Sequence, residues 1–208
     1  MNELPNLLDT PHLLALAAAL GWASGFRLYA VVFLTGAAGY MGWVPLPAGL
    51  HLLQHPAMLV ASGLMFSLEF FADKIPFIDS IWDMVHTVIR IPAGAALAAA
   101  ALGADSATMS SVAAVLGGTL AASAQATKLT TRAAINASPE PFSNVAASLF
   151  EDGLVVGALW LASHYPFAFA AALAVALLLS ACLVWFLLRF FQSTLARMRS
   201  FFSGAAAH

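Results

Sequence analysis

Apolar residues in this chain come in long runs, without the strict alternation of a half-buried strand or the narrow apolar stripe of a helix in a soluble domain. A helix crossing the hydrocarbon core of a bilayer needs about 20 mainly apolar residues. Runs of that kind cover about 12–36, 56–72, 79–102, 109–133, 142–164 and 166–190. The first is interrupted by GWASGFR, where Gly21 and Gly25 could unwind the helix just before Arg27. Pro76 helps to end the second. The third is polar in its first half, and its Pro92 is expected to loosen the backbone or to divide an interfacial helix from a short re-entrant one. The sixth is the cleanest. The pattern predicts an all-α, polytopic transmembrane bundle of about six spans with a broken first helix. Residues 12–190 form one transmembrane domain, preceded by a cytoplasmic segment, 1–11, and followed by a cytoplasmic amphipathic tail, 191–208.

The polar positions inside these runs carry the chemistry. Arg27, Glu69, Asp83, Arg90, Lys128, Glu151 and Asp152 all fall within proposed spans. At roughly 3 kcal/mol each near the bilayer centre, leaving them all against lipid would cost on the order of 20 kcal/mol. They must pair, face water or lie near headgroups. Asp79, Asp83, His86 and Arg90 are spaced so that about 60° of one helix face holds them all. Glu69 and Asp73 are one turn apart, as are Lys128 and Arg132, with Gln125 extending the latter stripe; Asn144, Ser148, Glu151 and Asp152 form another. Arg27, Glu69, Asp73, Asp83, His86, Arg90, Lys128, Glu151 and Asp152 are therefore the candidate substrate or ion pathway, with Arg27 and Lys128 as counter-charges to Glu69 and Glu151. The plain alternative is a set of fixed salt bridges that lock helix register.

Composition agrees with lipid as the main solvent. Of 208 residues, 62% are hydrophobic and 9% charged, against about 45–50% and about 25% in a soluble domain. The formal net charge is −2, and no basic run outside the tail suggests nucleic acid. The single cysteine, Cys182, gives no disulfide framework and is expected as a small buried apolar residue. Lys74, Arg132, Arg197 and Arg199 fall on one side of the six-span scheme, which places both termini in the cytoplasm by the positive-inside rule. Tyr40, Trp43 and Tyr165 then lie at the outer interface. The expected location is an inner, cytoplasmic membrane, with membrane lipids as partners and self-association open.

The segment ALAAALGWASGFRLYA is similar to VAAVLGGTLAASAQATKLTT, each ending in a cation followed by Leu. With three spans in each of 12–103 and 109–190, two such halves would form an inverted repeat. Gly21-x3-Gly25 and Gly153-x3-Gly157 are small-residue spacings that allow close helix approach. The phenylalanines at 70, 71, 190, 191, 201 and 202 are expected at lipid or the interface.

At GFRLYA (25–30), FADKIPFIDSIWDMVHTVIRIPAGA (71–95) and SPEPFSNVAASLFEDG (138–153), the chain resembles a bacterial membrane-protein family catalogued as domain of unknown function 4126. The resemblance covers most of 12–190. It implies an integral membrane protein and brings no substrate or activity with it.

Three functions compete. The first is a transporter or channel for an ion or small solute that uses the acids as cation or proton sites and the bases as counter-charges. The second is a scaffold or accessory subunit whose charged seams specify assembly. The third is an intramembrane enzyme acting on a lipid phosphate, with Glu69-x3-Asp73 and Asp83-x2-His86 as metal ligands. No HExxH, nucleophile elbow or phosphate-binding loop supports this enzyme. No catalytic residue, resident metal or cofactor is assigned.

Overall fold

The structure, a computed structural model, describes residues 9–75, 77–103, 107–137 and 141–205; of residue 141 and residues 195–205 it describes the backbone alone. Six helices follow one another: α1 Thr10–Tyr40, α2 Pro56–Ala72, α3 Ile78–Leu102, α4 Ala107–Asn136, α5 Pro141–His164 and α6 Pro166–Ala205. A short 3-10 helix, Ala48–Gln54, precedes α2. Local chemistry starts most of them. Pro11, Pro56, Pro141 and Pro166 sit at or near first helical positions, where a missing N–H costs nothing. Asp9 caps α1 by accepting from the His12 backbone N–H at 3.1 Å.

Five helices are long and apolar enough to cross a membrane. The 3-10 helix and α2, bent by 70° at their junction, together make a sixth. The all-α polytopic bundle expected from the apolar runs is the fold observed.

The first helix is broken, and at Arg27. That residue has φ −145° and ψ 77° inside otherwise helical backbone. Gly21 and Gly25 precede the break and serve another purpose, described below. The first arm of α1 descends beside α4, with Gly21 against Gly117 and Gly25 against Ala121 and Ala124. The second arm turns back. Tyr29 meets His86 of α3, Phe33 meets Phe66 of α2, and Gly36 lies against Leu53 and Leu59. Its far end returns close to its start, because His12, Leu13 and Leu16 border the same 180 Å³ cavity as Trp43, Val44 and Pro45. In a straight helix His12 and Tyr40 would be about 42 Å apart. Helix α1 is thus a hairpin with Arg27 at its tip.

This return sorts the connections onto two faces. On one lie the start of α1, the segment 41–55 and the α5–α6 corner, since His12, Pro45 and His164 share a cavity. The end of α3 joins them, with Gly49 packed on the Ala100 carbonyl. On the other lie the α2–α3 corner and the end of α4, where Asn136 donates to Asp79 at 3.0 Å. Phe77, at the α2–α3 corner, has φ 70°, an outlier for a bulky residue. That turn lets Asp73 and Asp79 face a common centre.

Several expectations need correction. Pro92 neither loosens α3 into two pieces nor divides it, and Ile78–Leu102 is one helix of 25 residues. Helix α4 runs unbroken through Lys128 and on to Asn136, so Arg132 is helical and buried, not a loop cation. The similar segments 15–30 and 112–131 lie side by side in the same sense, whereas an inverted repeat would oppose them. Cys182 is exposed on α6 rather than buried, because α6 presents its apolar surface outward. Gly153 and Gly157 have open space around them and mediate no close approach within the chain. Helix α6 does not change character at 190/191 but continues for 40 residues, about 60 Å, twice the ~30 Å hydrocarbon core. The side chains of Arg197, Arg199, Phe201 and Phe202, the residue Pro76 and residues 1–8 lie outside the described part. Phe71 and Phe190 are exposed as expected.

Gly21, Gly94 and Gly117 form a seam where α1, α3 and α4 meet at backbone contact. A Cβ on Gly21 would stand 2.7 Å from the Gly117 Cα, and one on Gly94 would stand 3.1 Å from the Gly21 carbonyl oxygen. Close backbone approach of this kind replaces the hydrophobic drive that lipid cannot supply.

Candidate functional site

Below that seam, five helices bring their polar stripes to one closed centre. Helix α1 contributes Arg27 from its hairpin tip, and α2 contributes Glu69 and Asp73 from its last turn. Asp79, Asp83 and Arg90 come from α3, Gln125, Lys128, Arg132 and Asn136 from α4, and Asn144, Ser148, Glu151 and Asp152 from α5. Helix α6 provides none of these.

Lys128 occupies the middle. Its Nζ lies 2.6 Å from Asp73 Oδ2, 2.9 Å from Asp83 Oδ1 and 3.3 Å from Glu151 Oε2. It also donates to the Phe26 carbonyl at 3.1 Å. That carbonyl is free because the break at Arg27 interrupts the helix, and it belongs to the negative, C-terminal end of the first arm. The hairpin therefore meets the centre with both a guanidinium and a helix terminus.

Arg27 Nη1 lies 2.9 Å from Asp73 Oδ2, and Arg27 Nε lies 3.1 Å from Asp152 Oδ1. Arg27 Nη2 donates to Ser148 Oγ at 2.7 Å, and Nη1 reaches the Glu69 backbone carbonyl at 3.3 Å. Arg90 holds Asp83 Oδ1 at 2.7 Å, Glu69 Oε1 at 2.6 Å and Gln125 Oε1 at 2.9 Å. Gln125 in turn donates to the Asp83 carbonyl and to Thr87 Oγ1. Arg132 engages Glu151 with two nitrogens, at 3.2 and 3.0 Å, and donates to the Asp73 carbonyl and to Asn144. Two-pronged pairing of this kind fixes geometry as well as charge.

The expected pairing is half right. Lys128 faces Glu151, but the Glu69 carboxylate belongs to Arg90, and Arg27 pairs instead with Asp73 and Asp152. Of the predicted pathway residues, Arg27, Glu69, Asp73, Asp83, Arg90, Lys128, Glu151 and Asp152 converge. His86 does not. Its Nδ1 donates to the Trp82 carbonyl at 2.8 Å while its ring stacks on Trp82 at 4.1 Å, the environment of a packing residue. The pathway set omitted Arg132, Asp79 and Lys74. Arg132 lies one turn from Lys128 and inside the fourth run, 109–133, but the positive-inside assignment places it among the loop cations at that run's end. Lys74 sits at the rim, its Nζ 3.1 Å from Ser148 Oγ and 3.0 Å above the Phe70 ring.

The electrostatic balance is uneven. Glu69, Asp73, Asp79, Asp83, Glu151 and Asp152 face Arg27, Arg90, Lys128 and Arg132, with Lys74 at the rim beside Asp152, so that six acids meet five bases. Glu69 Oε2, Asp73 Oδ1, Asp83 Oδ2 and both Asp152 carboxylate oxygens are buried without a hydrogen-bond partner. The side chain of Asp152 is also the most open of the ion-paired acids here, at 20% exposure, against 7% for Glu151 and 0% for Asp73 and Asp83. It forms the edge of the centre. Uncompensated charge in low dielectric is costly, so such a centre favours taking up positive charge.

The four principal cavities are lined by none of these charged residues. Among the described residues, no set of three or more His, Cys, Asp or Glu side chains is arranged to hold a metal ion. In particular, the Glu69–Asp73 and Asp83–His86 pairs do not form a joint ligand set.

Compared with known proteins, residues 14–188 match the family described as a domain of unknown function (DUF4126). No curated protein and no solved structure matches the chain.

Proposed function

The chain belongs to the family described as a domain of unknown function (DUF4126), and from its buried centre we propose a small membrane transporter or channel that carries an ion, foremost the proton, or a small solute coupled to one. The observation that carries this reading is the surplus of acid over base in a closed, membrane-embedded centre, with carboxylate oxygens left unpartnered. Intramembrane ionisable groups are expensive, and apolar residues would fill the space at lower cost. A helix broken at the charged site is a second support, because unwound backbone inside a bundle is how many transporters present free carbonyls and helix ends. Asp152 is the entry group in this scheme. A proton taken up there lies one guanidinium, Arg27, away from Asp73.

The hairpin of α1 supports an orientation different from the one expected. With both arms opening on one face, α2 to α6 make an odd number of passages, and the two ends of the chain emerge on opposite sides. Lys74 and the basic stretch from Arg189 onward then share one side, which the positive-inside rule makes cytoplasmic. The N-terminal arm, with Tyr40, Trp43 and Tyr165, opens on the other. An inner membrane remains the location this reading assigns.

The test is flux. Purified protein in liposomes is given a proton gradient and, separately, monovalent-ion gradients, and wild type is compared with Asp152→Asn and Glu151→Gln. Asp152→Asn is the cleaner probe, since Asp152 meets Arg27 Nε at 3.1 Å, whereas Glu151 is held by Lys128 and Arg132 together. Loss of flux with intact folding is the expected outcome; undiminished flux in both variants would remove these acids from the mechanism.

One observation favours a second reading, an assembly or accessory subunit. The centre is closed, with Arg27, Glu69, Asp73, Asp83, Arg90 and Lys128 all buried to within 1% exposure. Under this reading wild type conducts nothing, the same substitutions unfold the bundle, and a stoichiometric partner co-purifies.

A further inference from the structure

Four of the five bases at the charged centre are locked by carboxylates. Arg27, Arg90, Lys128 and Arg132 each hold an acid within 3.0 Å. Lys74 is the exception. Among the described residues it makes no ion pair: its Nζ donates to two neutral acceptors, Ser148 Oγ and the Phe70 carbonyl, both at 3.1 Å, and lies 3.0 Å above the Phe70 ring. Each of these contacts is weak beside a buried ion pair. Lys74 is also half-buried, where the other four bases are closed in.

Its position at the rim makes this weak hold matter. Lys74 lies just past the end of α2, at the α2–α3 corner, while Ser148 is on α5. Helices α2 and α5 share no packed interface, so the Lys74–Ser148 bond ties them across a gap. Ser148 Oγ also accepts from Arg27 Nη2 at 2.7 Å, and Asp152, one turn further along α5, meets Arg27 Nε at 3.1 Å. Lys74 therefore stands over the run Asp152, Arg27, Asp73 that leads into the centre. The side chain of Asp152 is 20% exposed, yet both of its carboxylate oxygens are buried. The edge is shut, but only just.

We propose that Lys74 is the latch on this edge. Bonded to Ser148, it closes the Asp152 carboxylate off from solvent; released, it lets solvent reach Asp152 and Arg27. A part for this latch in transport rests on the transporter reading, whereas the opening and closing of the edge do not. Lysine suits the role, because its stem is flexible and its ammonium strongly hydrated, so the released state is solvated rather than stranded. A latch made from any of the four ion-paired bases would strip a buried carboxylate of its partner at every opening.

The test reads solvent access to Asp152 directly. Full-length protein in detergent micelles is treated with a water-soluble carbodiimide and glycine ethyl ester, and the modified carboxyl groups are mapped by mass spectrometry. In wild type Asp152 should react slowly. Lys74→Met keeps the stem without the ammonium and should raise the Asp152 rate about ten-fold, the scale set by two lost hydrogen bonds of ordinary strength. Lys74→Arg keeps a cationic donor and should stay close to wild type. Phe70→Leu removes only the ring beneath the ammonium and should give a gain of about two- to five-fold; it carries the test where Lys74→Met fails to fold. Glu151, held by Lys128 and Arg132, is the internal control and should keep its wild-type rate in every variant. An Asp152 rate unchanged in Lys74→Met and Phe70→Leu, or a gain shared by Glu151, overturns the latch. Proton flux is measured alongside in liposomes: a faster Asp152 reaction in Lys74→Met, with no flux in wild type, supports the latch and removes the transporter reading.

Discussion

Helices α1, α3 and α4 touch twice, and the two contacts use opposite chemistry. At Gly21, Gly94 and Gly117 three backbones meet with nothing larger than the methyl groups of Ala98 and Ala121 packed closest to Gly117 and Gly94. Eleven residues further along α4, about 16 Å, Lys128 binds three carboxylates and the broken end of α1. The glycine seam gains its energy from dispersion and from distance, so it is sensitive to volume and indifferent to charge. The ionic centre is sensitive to both, since each group holds its neighbours' charges in place. The seam brings the helices close; the centre fixes which helices, and in which register.

Substitutions can separate these roles. Lys128→Met keeps much of the volume but leaves Asp73, Asp83 and Glu151 facing one another, and should cost about 3–5 kcal/mol, as breaking a buried pair does. Thermal or denaturant unfolding in detergent micelles measures it; a variant as stable as wild type would mean that the ionic centre does not hold the bundle. Gly25→Val comes next, at about 1–3 kcal/mol, because its Cβ would stand 2.3 Å from the Ala121 carbonyl oxygen. In this variant the first arm of α1 is pushed off α4 while every charged group is kept. Gly153→Val is the control, since nothing lies within 4 Å of its would-be Cβ. Its effect should stay within about 0.5 kcal/mol by the same measurement. Cys182→Ala, exposed on α6, should change least, and a larger loss would reveal that α6 packs on something outside the chain.

Much of this was legible in the sequence. Six apolar runs announced the helices, and the spacing of Asp79, Asp83 and Arg90 announced a common face, because helix periodicity is a local property. The break near Arg27 was also local: two glycines and a buried cation in an apolar run. What the break does was not. Whether the chain continues across or turns back depends on one residue's backbone angles and on packing against α2, α3 and α4, which no short segment encodes. The partners of Arg27 were equally hidden, since Asp73 and Asp152 reach it from other helices through packing geometry. Arg132 was hidden by its place at the end of a span, where a cation serves equally well as an interface charge or a core one, and only packing against α2 and α5 decides.

The hairpin of α1 also constrains the order of assembly. Arg27 is synthesised well ahead of its hydrogen-bond partner Ser148, which is 121 residues downstream. At ordinary synthesis rates of about 5–20 residues per second, that is a delay of roughly 6–24 s. Until α5 arrives, the tip of α1 carries a guanidinium with only part of its final shell. The α1 hairpin, made before every helix that completes its shell, is therefore among the last to settle, and the insertion machinery, or the membrane surface, must shelter it for that interval.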